Sequence, residues 1–171
     1  MTLSTDIARI TTPTGGWKGD MPAAFLTECT DAIIDSAPDL RGTWTPIEVT
    51  INGEPAPPEV PLWRHVERIE QAGQRVTLTS DGIIHDFPVV DGTFENGCHD
   101  VAAADFATPI VVADFATPIV VAASYEDGVL VLRPQGMDGV EVRRWRDGEH
   151  LMWSYHSAFV MKMECKASSP T

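Results

Sequence analysis

The chain is cut at close intervals by dipeptides that end in glycine: Asn52-Gly53, Ala72-Gly73, Asp81-Gly82, Asp91-Gly92, Asp127-Gly128, Asp138-Gly139 and Asp147-Gly148. Asn-Gly and Asp-Gly accept the positive φ angles of tight hairpin turns, so the text between them has room only for short strands. Gly42 to Asn52 is the first such segment, followed by a Pro-rich loop through Pro61. His65 to Gln71 and Arg75 to Ser80 come next, and Val76 and Leu78 alternate with Arg75, Thr77 and Thr79 as a half-buried hairpin requires. Further segments run Ile83 to Val90, Thr93 to Ala103, Ile119 to Tyr125, Val129 to Arg133, Val140 to Arg146, Leu151 to His156 and Phe159 to Lys166. Many short strands joined by tight turns make an antiparallel sandwich or barrel, and a meander that closes on itself removes its exposed edges. The expected fold is mostly β, an antiparallel up-and-down barrel over 42–166.

The text ahead of the strands has a different pattern. Residues 1–20 contain Thr-Thr-Pro-Thr-Gly-Gly and read as a flexible arm. In 22–36, Pro22 suits a first helical turn, and Phe25, Cys29, Ala32 and Ile33 recur at helical spacing before Ala37-Pro38 ends the run. One amphipathic helix is expected there. Because a helix precedes the strands, a cystatin-like α+β cone is the alternative fold, and either way 1–171 is a single domain.

Composition narrows the functional classes. A net charge of -13 opposes binding to a phosphate backbone, so nucleic acid is not an expected partner. No stretch approaches the roughly 20 uninterrupted apolar residues of a spanning helix, so no membrane partner is expected. Met1 to Lys18 lacks the charged start and apolar run of a secretory signal, which gives a cytoplasmic expectation. Cys29, Cys98 and Cys165 are odd in number and far apart, and Cys98-His99-Asp100 has no spaced second pair, so neither disulfides nor a metal site are expected. Between Arg75 and Arg133 there is no Lys or Arg, while Asp81, Asp86, Asp91, Asp100, Glu126 and other acids accumulate, predicting a strongly negative surface region.

Ala104 to Val112 reads ADFATPIVV, and Ala113 to Val121 repeats it without a change. A unit of nine is too short for a solenoid. An odd insertion would exchange the inward and outward faces of a continuing strand, and Pro109 and Pro118 lack ladder donors, so a bulge, loop or extra hairpin is expected. Two identical copies also offer two registers to one neighbour, which allows a monomer or a strand-exchanged homodimer.

Gly42-Thr43-Trp44 resembles the Gly-x-Trp opening of the first strand in the lipocalin and fatty-acid-binding-protein (calycin) group, and VEVRRWRDGEHLMWSYHSAFVMKMECK, Val140 to Lys166, resembles the last hairpins of such barrels. The resemblance implies an antiparallel barrel holding a small apolar ligand. Where many members carry Arg-x-Tyr on the final strand, this chain has Lys162-Met163-Glu164. The basic residue that packs on the opening Trp would be Lys162 or Lys166.

The expected function is binding or carriage of a small apolar molecule. The candidate ligand-binding residues are Trp44, His65, His85, Arg144, Trp153, Tyr155 and His156. Alternation puts Trp153 and Tyr155 on one strand face, as an aromatic wall with a phenolic donor, and an inward Arg144 would meet an anionic group. His65 and His85 offer proton transfer near neutral pH, so a barrel lyase, isomerase or cyclase is an alternative. No cofactor is expected, with haem held by an inward His156 as the lesser alternative. A third reading gives the chain no small-molecule function and makes the duplicated segment a matter of register and assembly.

Overall fold

The computed structural model describes residues 1–102, 118–156 and 158–166. Its strands are β1 (Gly42–Ile51), β2 (Glu54–Pro55), β3 (Glu67–Ala72), β4 (Arg75–Ser80), β5 (Ile83–Phe87), β6 (Cys98–Val101), β7 (Ile119–Glu126), β8 (Val129–Pro134), β9 (Val142–Asp147), β10 (His150–Tyr155) and β11 (Phe159–Cys165). They follow the order β5-β4-β3-β1-β11-β10-β9-β8-β7-β6, with β2 folded back on β1. Sequential hairpins explain most of this order. Asp81 and Gly82 have φ of 49° and 83°, and Asp127 and Gly128 have 50° and 79°, so both central residues of each turn are left-handed and the twist of the turn matches that of its strands. The first strand pairs with the last, from Trp44↔Cys165 to Ile51↔Phe159, and this curls the meander into a nearly closed antiparallel barrel.

Alternation fills the interior. Trp44, Ile69, Val76, Phe87, Leu130, Leu151, Met161 and Met163 belong to one buried apolar cluster. The outer faces of β4 and β5 are also covered: Arg75, Thr77, Thr79 and Asp86 are buried although they sit on the opposite parity from Val76 and Leu78. Arg75 gives Nε and Nη2 to the two oxygens of Asp86 at 3.0 and 2.6 Å, and its remaining donors reach the carbonyls of Ser4, Ile7 and Ala8 at 2.6–2.9 Å. An ion pair taken out of water needs this full set of partners.

The same segment bridges the break that the described strands leave in the barrel wall. Among the described residues no ladder joins β5 to β6. Ile10 N donates to Asp86 Oδ2 at 2.9 Å, and Thr12 Oγ1 both donates to Ile84 O and accepts from Ile84 N. On the β6 side Thr12 N donates to Asp100 Oδ2 at 2.8 Å, and Arg9 Nη1 donates to Gly97 O. Residues 1–20, expected as a flexible arm, are in this structure a strap fastened across β5 and β6.

The expected helix over 22–36 is absent. The described residues contain only 3-10 turns at Ser4–Asp6 and Pro61–Arg64, so the α+β cone loses the helix it would wrap. The reason lies in where the backbone groups are used. Leu26 N donates to Glu70 Oε1, Thr30 N to Thr2 O and Ile34 N to Gly73 O, while Pro22 O accepts from Arg68. Groups bonded to the sheet and the strap are not free for an i to i−4 ladder, and tertiary partners outweigh the helical spacing of Phe25 and Cys29. The expected strand Thr93 to Ala103 begins only at Cys98, as β6, because Asp91 accepts from Thr93 N, Thr93 Oγ1 and Asn96 Nδ2 and makes a compact loop ahead of it. Of the duplicated segment, Ile119 and Val121 open β7 opposite Val101 and Cys98. The expected bulge, loop or hairpin within the repeat lies outside the described residues. No described helix is long and apolar enough to cross a membrane.

Candidate ligand cavity

At the end of the barrel near the β4–β5 and β10–β11 turns the packed core gives way to a cavity of about 310 Å3. Leu62, Leu78, Leu132, Val142, Trp153, Tyr155 and Phe159 make its apolar wall, and His65, Glu67, Asp81, His85 and Arg144 bring the polar groups. Cross-strand pairing explains the grouping. Residues directly opposite in an antiparallel ladder share a face, and the pairs Leu78↔His85, Glu67↔Ser80, Trp153↔Arg144 and Tyr155↔Val142 all turn inward. Phe159 stands opposite Tyr155, with their rings stacked at 5.2 Å, and Trp153 meets Phe159 edge-on at 5.0 Å.

The polar groups are tied to one another. Arg144 donates Nε to Glu67 Oε2 at 2.8 Å and Nη2 to Glu67 Oε1 at 2.9 Å, a two-pronged pair in which both residues are almost fully buried. The guanidinium also lies over the Trp153 ring, 4.8 Å from its centroid. His65 is held between two carboxylates, with Nδ1 2.7 Å from Asp81 Oδ2 and Nε2 3.3 Å from Glu67 Oε1, and its ring is 4.6 Å from that of Trp153. Arg144 Nη1 and Trp153 Nε1 are buried and have no hydrogen-bond partner.

This arrangement drives the two imidazoles apart. Burial alone would lower His65, but its hydrogen bonds to Asp81 and Glu67 and their negative charges outweigh it and push the group up to about 9. Burial and then the Arg144 charge push His85 down to about 4. Burial would raise Glu67, yet the charge of Arg144, followed by the contact with His65, holds it at about 2. At neutral pH the cavity therefore has a cationic His65, a neutral His85 and an ionised Glu67.

No family model matches this sequence, and no curated protein matches it. Among solved structures, one titled "Human cRBP IV" is 15% identical, with a TM-score of 0.49 over 75% of this chain and 98% of that one.

Of the residues singled out from sequence, His65, His85, Arg144, Trp153 and Tyr155 come together around the cavity. Trp44 does not. It is sealed in the core with its indole N–H on Leu40 O, because the opening of β1 lies away from the cavity. The guanidinium over Trp44, 5.3 Å from its ring centroid, belongs to Arg146 and not to Lys162 or Lys166. His156 is also elsewhere. It sits exposed in the turn after β10 with φ 48° and its N–H on Glu141 O, so it does not present an axial ligand to the barrel interior. Among the described residues no three His, Cys, Asp or Glu side chains are grouped to hold a metal. Cys98 Sγ contacts Asp100 Oδ1 instead.

Glu67 and Asp81 are the members that sequence reasoning missed. A signal for Glu67 was present: it shares the inward parity of Ile69 on β3, where an acid needs a buried cation. Asp81 was read as a turn residue and as part of a negative surface region.

Proposed function

We propose that this protein binds a small, predominantly apolar molecule in the barrel cavity, as a lipocalin-like carrier or sequestering protein. The observation that carries the reading is the composition of the wall: aliphatic and aromatic side chains surround a few convergent polar groups, the usual make-up of a small-molecule site. About 310 Å3 lies at the lower end of the roughly 300–1,000 Å3 range of such sites, so the ligand is compact, on the scale of one or two rings. Native mass spectrometry of the purified protein tests this together with Leu132→Trp, which fills the cavity. Expected is a retained small molecule that the variant no longer holds. An empty native protein, or a molecule retained equally by the variant, refutes the reading.

A second reading, proton-transfer catalysis by a lyase, isomerase or cyclase, is favoured by one observation: two imidazoles in one cavity with opposite proton affinities. Environments that push paired groups apart assign an acid and a base, here His65 and His85. Chemical change of the retained molecule during incubation with the native protein, lost in His85→Gln, would select this reading over carriage.

A further inference from the structure

We propose that the ligand is uncharged and carries a carbonyl-type oxygen, which accepts hydrogen bonds from Arg144 Nη1 and Trp153 Nε1. This rests on the reading of the cavity as a binding site. Two observations lead to it.

The first is the pair of orphaned donors. Arg144 spends Nε and Nη2 on Glu67 and leaves Nη1 without a partner, and Trp153 leaves Nε1 without one. The two residues are directly opposed in the β9–β10 ladder, in contact through the guanidinium and the indole, and both line the cavity. Buried N–H groups that lack an acceptor are costly, and only an acceptor atom relieves them. A pure hydrocarbon would leave both unpaired.

The second is the charge balance. The Arg144 cation is already matched by the bidentate Glu67 carboxylate, and His65 stands between Glu67 and Asp81. A ligand carboxylate would bring another negative charge to a buried site whose cations are already paired, beside Glu67, and would lose its hydration in doing so. A ketone, aldehyde, ester or amide oxygen brings a strong acceptor with no net charge. The same guanidinium that would bind a carboxylate if it stood alone is converted by Glu67 into a neutral site whose Nη1 is left to donate. The aromatic rings of Tyr155 and Phe159 suit a planar body attached to that oxygen.

Three probes that share one skeleton test the inference: 2-acetylnaphthalene, 2-naphthoate and 2-ethylnaphthalene, titrated calorimetrically into the native protein at pH 7. The ketone is expected to bind at least tenfold more tightly than either of the others. Trp153→Phe keeps an aromatic ring and removes the indole donor together with part of the ring area. It should weaken the ketone about tenfold more than it weakens 2-ethylnaphthalene, which loses only wall area, with thermal unfolding confirming the fold. Tightest binding by the naphthoate overturns the inference. So does equal binding of ketone and hydrocarbon with the same effect of Trp153→Phe on both, in which case the cavity still binds ligands and the donors are not used. Failure of all three to bind also overturns it, and the binding reading then stands or falls on what the native protein retains in mass spectrometry.

Discussion

Replacing Arg75 by Met keeps most of the side-chain volume and removes one charge from the most completely enclosed ion pair in the described structure. Asp86 would then stand fully buried with only Thr77 Oγ1 and Ile10 N as donors, the carbonyls of Ile7 and Ala8 would lose theirs, and Ser4 O would keep only Ile7 N. Breaking a buried pair from one side costs about 3–5 kcal/mol, because a charge is left without compensation. For a chain of this size that corresponds to a fall in Tm of roughly 6–20 °C. Urea unfolding measures the loss, and amide exchange at Ile10 and Thr12, both bonded across the β5–β6 break, reports whether the strap has been released. The double variant Arg75→Met, Asp86→Leu removes the stranded charge as well. It should regain about 1 kcal/mol or more over the single variant yet stay below the native protein, since the carbonyls of Ile7 and Ala8 are still unpaired. A loss below about 1 kcal/mol for Arg75→Met, with exchange at Ile10 and Thr12 unaltered, would refute the assignment of the strap to this pair.

Other outcomes follow from the same structure. Because folding raises His65 from 6.5 to about 9, its contribution to stability is fully present below about pH 6.5 and is lost as pH rises toward 9; His65→Gln should flatten the stability profile over that window. On the acid side the signs reverse: His85, lowered to about 4, costs stability as pH falls below 6.5, and Glu67 loses its contribution between its ordinary 4.5 and about 2, so unfolding should steepen in two stages. Gly73→Ala should destabilise by about 1–3 kcal/mol, since φ there is 54° and a Cβ would come within 2.4 Å of Asp31 Oδ2. Gly128→Ala, with φ of 79° and open space around it, meets backbone strain without the clash and should cost less by the same unfolding assay. Deleting 113–121 should change subunit number in native mass spectrometry if the two identical copies compete for one register; an unchanged number removes strand exchange as an explanation.

The barrel was legible because its signals are local. Turn dipeptides and alternation along β4, β9 and β10 depend on a few neighbouring residues, and they put Trp153 and Tyr155 on one strand face without saying which face is inward. What was not legible depends on partners distant in the chain. The spacing of Phe25, Cys29 and Ala32 is helical, but Glu70, Arg68 and Gly73 take up the backbone groups such a helix needs. The run of acids after Arg75 read as surface charge, whereas Asp86 and Asp100 hold the strap and Asp81 holds His65. Alternation left open whether Arg144 faces inward, and its charge was offered to a ligand because nothing near it in sequence identifies Glu67 as its partner. Trp44 was drawn into the site by a motif that marks where β1 begins, a matter of barrel construction.

The strap has a consequence for the order in which this chain can fold. Its bonds to Arg75, Asp86, Gly97 and Asp100 span 67 to 88 residues, so this segment, which precedes β3 to β6 in the chain, finds its partners only after most of those strands have been made. Contacts of such long sequence separation form late, because a large loop must close before they give anything back. Until then β5 and β6 are two unprotected edges, the sort of surface on which one chain templates another. A delay in fastening this segment would therefore expose the barrel to self-association even when every hairpin in it has already formed.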